Sequence, residues 1–267
     1  MRIEAVTVCV NYADFLERTV QENHALFSDW VIVTSKTDTA TLKVCERHGL
    51  RPILCPYFTK GAATFDKGRA INLGLAHLTC TDWIIHIDAD TALPKNFNHV
   101  MEQAEFSAEN IYGMDRVNCP SYEEWEKYLL ARATDWRLHY LITTPSNWSV
   151  GARISHADYG GWTPIGYFQM WNRASGITRY PVTNDSSAEH TDVLFGLQWP
   201  RCDRVLIPEM YAIHLESEEG RMGVNWEGRK SKPFGPEEHP HPHPHPHPHP
   251  HPHPHPPWPI PPHPYVH

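Results

Sequence analysis

The chain has 267 residues, enough for one large domain or two small ones, and its last 29 (239–267) hold 11 of the 20 His and 14 of the 25 Pro but no Asp, Glu, Lys or Arg. The rest has ordinary globular composition and carries the whole net charge of −8, which argues against a broad nucleic-acid surface and leaves a nucleic-acid acceptor as a minority expectation. No apolar run approaches the roughly 18 residues of a membrane span, Met1-Arg2-Ile3-Glu4 does not read as a secretory leader, and six dispersed cysteines fit reduced thiols, so a cytoplasmic protein is expected.

Strands and helices alternate through the first half. Ile3 to Val10 is a β-branched run ending at Asn11-Tyr12. Asp14 is placed to cap the next helix, with Glu17 as its capping-box partner and Leu16 and Val20 on the inner face. Trp30–Val33 reads as a strand and Thr34–Asp38 as a polar turn. Thr39 then caps a helix with Leu42, Cys45 and His48 that stops at Gly49. Arg51–Tyr57 is a proline-broken edge strand. A loop that includes Lys67 and Arg69 leads into a helix with Ile71, Leu75 and Leu78 on one side. The apolar strand Trp83–Ile87 ends at Asp88-Ala89-Asp90, and Pro94 opens another helix. Such alternation predicts an α/β fold with a mainly parallel sheet, and ligands bind such sheets at the carboxyl ends of the strands. Asn11, Thr34–Asp38 and Asp88–Asp90 share that rim.

The second half is less regular. Ser121-x-x-Glu124 is a capping box before a helix with Trp125, Leu129 and Arg132. Gly160, Gly161 and Gly166 punctuate an aromatic stretch, Trp162, Tyr167, Phe168 and Trp171. A helix is expected from near Glu189 with Val193, Leu194 and Leu197, then strands at Val205–Ile207 and Met210–Leu215. From His239 to Pro256 the chain alternates His and Pro, which favours an extended, solvated polyproline-like rod. Imidazoles around such a rod suit loose chelation of Zn, Ni or Cu, or the tail is a low-complexity extension without a selected role.

Asp88-Ala89-Asp90 is the sharpest chemical signal. Two carboxylates at i and i+2 after an apolar strand point to one side and suit Mg2+ or Mn2+ carrying substrate phosphates; the plain alternative is a solvated acidic turn. The strand ending in Asn11-Tyr12, the polar loop with Asp38, the run Asp66-Lys67-Gly68-Arg69-Ala70-Ile71-Asn72-x-Gly74-Leu75-Ala76 and the D-x-D follow one another in an order that resembles GT-A fold glycosyltransferases, family 2-like, across residues 3–95. The chain departs from that family at Val33-Thr34-Ser35, where an Asp pair is usual. The second half resembles galactosyltransferase-like members: Gly166–Trp171 matches their acceptor-side segment, and Ser187–Asp192 their acidic motif at a helix start, with His190-Thr191 in place of the usual acid before Asp192.

The resemblance implies a Rossmann-like sheet flanked by helices, with a donor-binding half at 1–115, an acceptor and catalytic half at 116–235 and the His-Pro tail at 236–267. It implies a nucleotide-diphosphate sugar donor, a UDP-sugar favoured, and a carbohydrate or other hydroxyl acceptor. Asp88, Asp90 and His214 would hold Mn2+ or Mg2+. Asp192 would be the base of an inverting displacement, with retention left open. Asn11, Asp38, Lys67, Arg69, Asp88 and Arg229 would meet the donor, and Trp162, Tyr167 and Phe168 the acceptor. Arg229 or Lys230, in the Gly- and Trp-containing run 221–230, would touch the phosphates as part of a lid or belong to a solvated basic loop. Two other readings stay open: a catalytically silent carbohydrate- or metal-binding protein, and a sugar-phosphate nucleotidyltransferase, ranked lower because Val10–Asp14 has no glycine.

Overall fold

The computed structural model describes residues 1–58, 65–79, 82–182, 188–216, 229 and 231–236. The first half is β1 (Ile3–Val8), α1 (Ala13–Asn23), β2 (Asp29–Thr34), α2 (Thr39–His48), β3 (Arg51–Leu54), α3 (Lys67–Leu75) and β4 (Trp83–Ile87). Then follow β5 (Thr91–Ala92), α4 (Phe97–Gln103), β6 (Ile111–Cys119), α5 (Tyr122–Arg132), α6 (Trp136–His139), β7 (Ser149–Val150), β8 (Ser155–His156), β9 (Gly161–Trp162), β10 (Phe168–Asn172), α7 (Ala188–Gly196) and β11 (Arg204–Leu215). Met1–Gly235 forms one compact unit, and β6 runs without a break through 115/116.

The main sheet has the order β3-β2-β1-β4-β10-β6-β11-β5. The expected parallel pairing runs without a break through the first four strands of this order. β10 pairs antiparallel with both β4 and β6, β11 runs parallel to β6, and β5 is antiparallel to β11, so the sheet as a whole is mixed. The α/β class stands, and the acidic tip of β4 sits where the parallel and antiparallel parts meet.

Both faces of the sheet are covered. Ile3 and Ala5 of β1 pack with Leu16, Val20, Val44 and Phe97 on one face, while Val6 and Val8 pack with Ile71, Leu75, Trp171 and Phe195 on the other. This two-sided burial is why β4 reads as an apolar run interrupted only by the buried His86. α3 approaches β1 and β2 closely at Gly74, where a Cβ would lie 2.5 Å from Val6 and 2.7 Å from Val33. A third cluster joins Phe15, Trp125, Trp148, Ile213 and Phe234 around α5.

Several local expectations are corrected. α1 has no side-chain cap, and Asp14 and Glu17 reach outward to other segments instead. α2 is capped by Asp38, one residue earlier than Thr39, because the aspartate Oδ1 accepts from Thr41 N at 3.0 Å. β3 stops at Leu54 and is the edge strand, as its prolines require. Lys67 and Arg69 lie in the first turn of α3 rather than in a loop, with Asp66 as cap. α4 begins at Phe97, later than Pro94 implied. α7 buries Val193 and Phe195 and turns Leu194 outward. The last two strands are one, β11, with a register shift between Leu206 and Tyr211.

Candidate active site

The site is assembled where β4 ends. Asp88 leaves the strand with its Oδ1 2.6 Å from the Lys67 ammonium at the start of α3, the side chains being 27% and 12% exposed. Lys67 also faces Asp192 of α7. The two meet over Gly166, where an added Cβ would lie 2.7 Å from Asp192 Oδ2 and 3.0 Å from Lys67 Nζ. Asp192 Oδ2 accepts a short hydrogen bond from the Gly166 amide, and its Oδ1 accepts from Val193 N at 2.9 Å. Residues 67, 88, 166 and 192 thus form one polar cluster from four separate segments.

The electrostatics follow from burial. Burial pulls Lys67 down, but Asp88, Asp192 and Asp90 together outweigh it and hold the ammonium above its ordinary range. Burial pushes Asp88 up, yet Lys67 leaves it below the usual carboxylate value. Asp192 and Asp90 are both raised by burial, which Lys67 offsets only in part at Asp192 and His214 only in part at Asp90. Behind the cluster His86 is fully buried with neither ring nitrogen bonded, and burial followed by Lys67 lowers it to about 3, so the imidazole is neutral.

Asp90 belongs to a second group. β5 pairs with β11 so that His214 lies opposite Thr91, and Leu215 N donates to Asp90 O at 2.7 Å. That register brings His214 Nε2 to 3.6 Å from Asp90 Oδ2, while the ring's Nδ1 is held by Glu216 Oε1 at 3.2 Å. Asp90 Oδ1 is buried without a partner. Among the described residues no three His, Cys, Asp or Glu side chains are gathered tightly enough to hold an ion as they stand. The donor set nevertheless fits a divalent cation: an orphaned carboxylate oxygen, an imidazole nitrogen whose far side is braced by a carboxylate, and Asp88 once its salt bridge to Lys67 opens. Glu216 escaped the sequence reading; its only signal was the i+2 spacing from His214.

The other site residues expected from sequence fall in different places. Asn11 has φ 60° and an exposed side chain at the rim. Asp38 has both oxygens engaged, by Thr41 N and Oγ1 and by Asn11 N at 2.7 Å, so it braces the Asn11 turn instead of offering a free carboxylate to a base. Arg69 is turned away from the rim and held by Asp66 at 2.8 Å. Arg229 does not point a free guanidinium at the rim: it forms a two-pronged bridge to Asp14, at 2.6 and 2.7 Å, and donates to Asn11 O. Phe234, fully buried between Phe15 and Tyr122, completes that anchor.

Phe168 is fully buried and packs edge-on to Phe97, so its ring has no face for a sugar. Tyr167 lies under the Arg116 guanidinium at 4.6 Å, with its hydroxyl bonded to Met114 O. Trp162 is half-buried over Gly113. Lys230, the run 217–228 and the His-Pro tail lie outside the described residues.

No family model matches this chain, and no curated protein matches it. Among solved structures it is similar to glucosyl-3-phosphoglycerate synthase from Mycobacterium tuberculosis in complex with phosphoglyceric acid, at 13% identity, covering 80% of this chain and 70% of that one with a TM-score of 0.44. It is similar to mannosyl-3-phosphoglycerate synthase from Rubrobacter xylanophilus at 16% identity, 83% and 68% coverage and a TM-score of 0.44. A further complex of the mycobacterial enzyme, with Mn2+, UDP-glucose and phosphoglyceric acid, gives 14%, 77%, 69% and 0.43. A mycobacterial protein whose chain is 65% covered matches at 13% identity and a TM-score of 0.44. The fold described above stands on its own strand order, independent of these distant likenesses.

Proposed function

We propose that this protein is a glycosyltransferase of GT-A type that moves a sugar from a nucleotide-diphosphate sugar, a UDP-sugar by preference, to an acceptor hydroxyl with inversion. The observation that carries the reading is the joining of the β4 acidic tip to Asp192 through Lys67, at the carboxyl ends of the parallel strands.

In this reading Asp90, His214 and Asp88 hold Mn2+ or Mg2+, with Glu216 fixing the imidazole. The ion, when bound, neutralises diphosphate charge and improves the leaving group. The remaining work belongs to side chains of this chain. The acceptor oxygen attacks the anomeric carbon, the bond from that carbon to the diphosphate oxygen breaks, and the hydroxyl proton passes to the Asp192 carboxylate. The Gly166 and Val193 amides orient that carboxylate, and its raised pKa makes it a better proton acceptor than a solvent-exposed aspartate. Lys67 balances the surplus of negative charge before the donor arrives and, with Asp88 among the residues that would hold the ion, would be left near enough to meet a donor oxygen. Asn11 offers its side chain to the nucleotide, and Trp162 and Tyr167 line the acceptor side.

One observation favours a second reading. Lys67 already fills the place of a cation at Asp88, as it would in a catalytically silent binding protein. Nucleoside diphosphate release from a panel of nucleotide-sugars, with Mn2+ and with a chelator, separates the two. Metal-dependent release with at least one donor is expected; none from any donor, with a candidate acceptor mixture present, supports the silent protein.

A further inference from the structure

α3 has a second charged surface, turned away from Asp88. Along its outer side lies a cavity of about 490 Å3, between the helix and the segment that follows β10. Three arginines line it, Arg69 of α3 with Arg173 and Arg179 of that segment, and among the described residues no acidic one does. Their pairing is incomplete. Arg69 shares its charge with Asp66. Arg173 gives Nη2 to the carbonyls of Leu75 and Leu78, at 3.2 and 3.1 Å, and its Nε is buried without an acceptor. Among the described residues neither Arg173 nor Arg179 has a carboxylate partner. The rest of the lining is mainly apolar, with Tyr57, Leu73 and Ile84 among it.

Three guanidiniums around one cavity repel one another, and a bound anion relieves that repulsion. With Nη2 committed to two carbonyls and Nε enclosed, Arg173 has Nη1 left for a ligand in the cavity. The arginine fork matches phosphate geometry, and a volume near 490 Å3 lies within the range of small-molecule sites. We propose that this cavity is a binding site for a small phosphomonoester: the phosphate on Arg173 and Arg179 with help from Arg69, the organic part over Tyr57, Leu73 and Ile84. The site is separate from the acidic rim, needs no metal ion, and does not depend on the proposed transfer reaction.

The test is calorimetric titration of the full chain in EDTA with phenyl phosphate, inorganic phosphate and phenol. One-to-one binding of phenyl phosphate is expected, at least tenfold tighter than inorganic phosphate, with none for phenol. Arg179→Glu, at an exposed position, should abolish it. Arg173→Lys, which keeps the charge but has a single nitrogen to divide between the helix carbonyls and the ligand, should weaken it at least tenfold. Asp90→Asn should leave it unchanged. No binding, binding indifferent to Arg179→Glu, binding lost in Asp90→Asn, or equal affinity for phosphate and phenyl phosphate would each overturn the assignment.

Discussion

Asp192 is a carboxylate that burial drives toward the neutral form, with the Lys67 charge and two backbone amides opposing. As a base it works only when ionised. The sign follows: its pKa lies above the ordinary 3.8, so the ionised fraction, and the transfer rate with it, rises with pH through an inflection above that value. A rate–pH profile flat across the acid range would contradict this. Asp192→Asn should keep donor affinity and slow transfer by roughly 10²–10⁴-fold. Gly166→Ala would place a methyl against Asp192 Oδ2 and Lys67 Nζ, so it should reduce kcat more than it alters donor affinity, as initial rates against donor concentration would show. Lys67→Gln removes the ammonium and leaves the carboxylates without it. In EDTA a loss of about 1–3 kcal/mol is expected, less than for a wholly buried pair because both side chains keep some exposure. A thermal scan should show Mn2+ restoring more stability to that variant than to the wild type. The D-x-D was legible in sequence because its carboxylates are two residues apart at the end of an apolar strand. Lys67's partners were not, since Asp88 lies 21 residues from it in sequence, and only the packing of α3 and α7 makes the three adjacent.

At the scale of elements, alternation and caps carried most of the information and tertiary contacts supplied the rest. Asp14 has the spacing of a cap, yet its carboxylate is taken by Arg229 and the Phe234 amide, residues more than 200 positions away. Asp38 overrode Thr39 because an aspartate one position earlier reaches the Thr41 amide. β6 was missed altogether: Ile111–Cys119 contains Gly113, Asp115, Arg116 and Asn118, which lower its strand propensity, but neighbours on both edges and cover on both faces hold it extended. The same two-sided cover buries Phe168 and Trp171 alike, which is why an aromatic run expected in part to meet the acceptor is partly plain core. The Asp14–Arg229–Phe234 anchor fastens the chain beyond β11 to the start of α1. Phe234→Ala should cost about 3–5 kcal/mol, the range for truncating a fully buried ring, measured by denaturant unfolding. A change under 1 kcal/mol would show that the anchor contributes little.

Across the whole molecule, the α/β class and the position of the rim followed from the order of strands and helices, whereas the mixed character of the sheet did not. Crossover length marks β1 to β4 as parallel; nothing comparable in sequence announces that β10 returns antiparallel beside β4 and carries Gly166 to Asp192. No helix among the described residues is long and apolar enough to cross a membrane. Residues 239–267 hold no Asp or Glu. Their deletion should leave kcat unchanged within about twofold, and a large loss would place the tail in the site. In the proposed reading Asp90, His214 and Asp88 would bind the divalent cation that carries a nucleoside diphosphate. Calorimetric titration of UDP into the full chain, in Mn2+ and then in EDTA, with Asp90→Asn beside the wild type, tests it most directly. Mn2+ should tighten UDP binding at least tenfold in the wild type and leave Asp90→Asn unaffected; equal affinity in Mn2+ and EDTA for the wild type would show that no cation at this acidic tip carries the diphosphate.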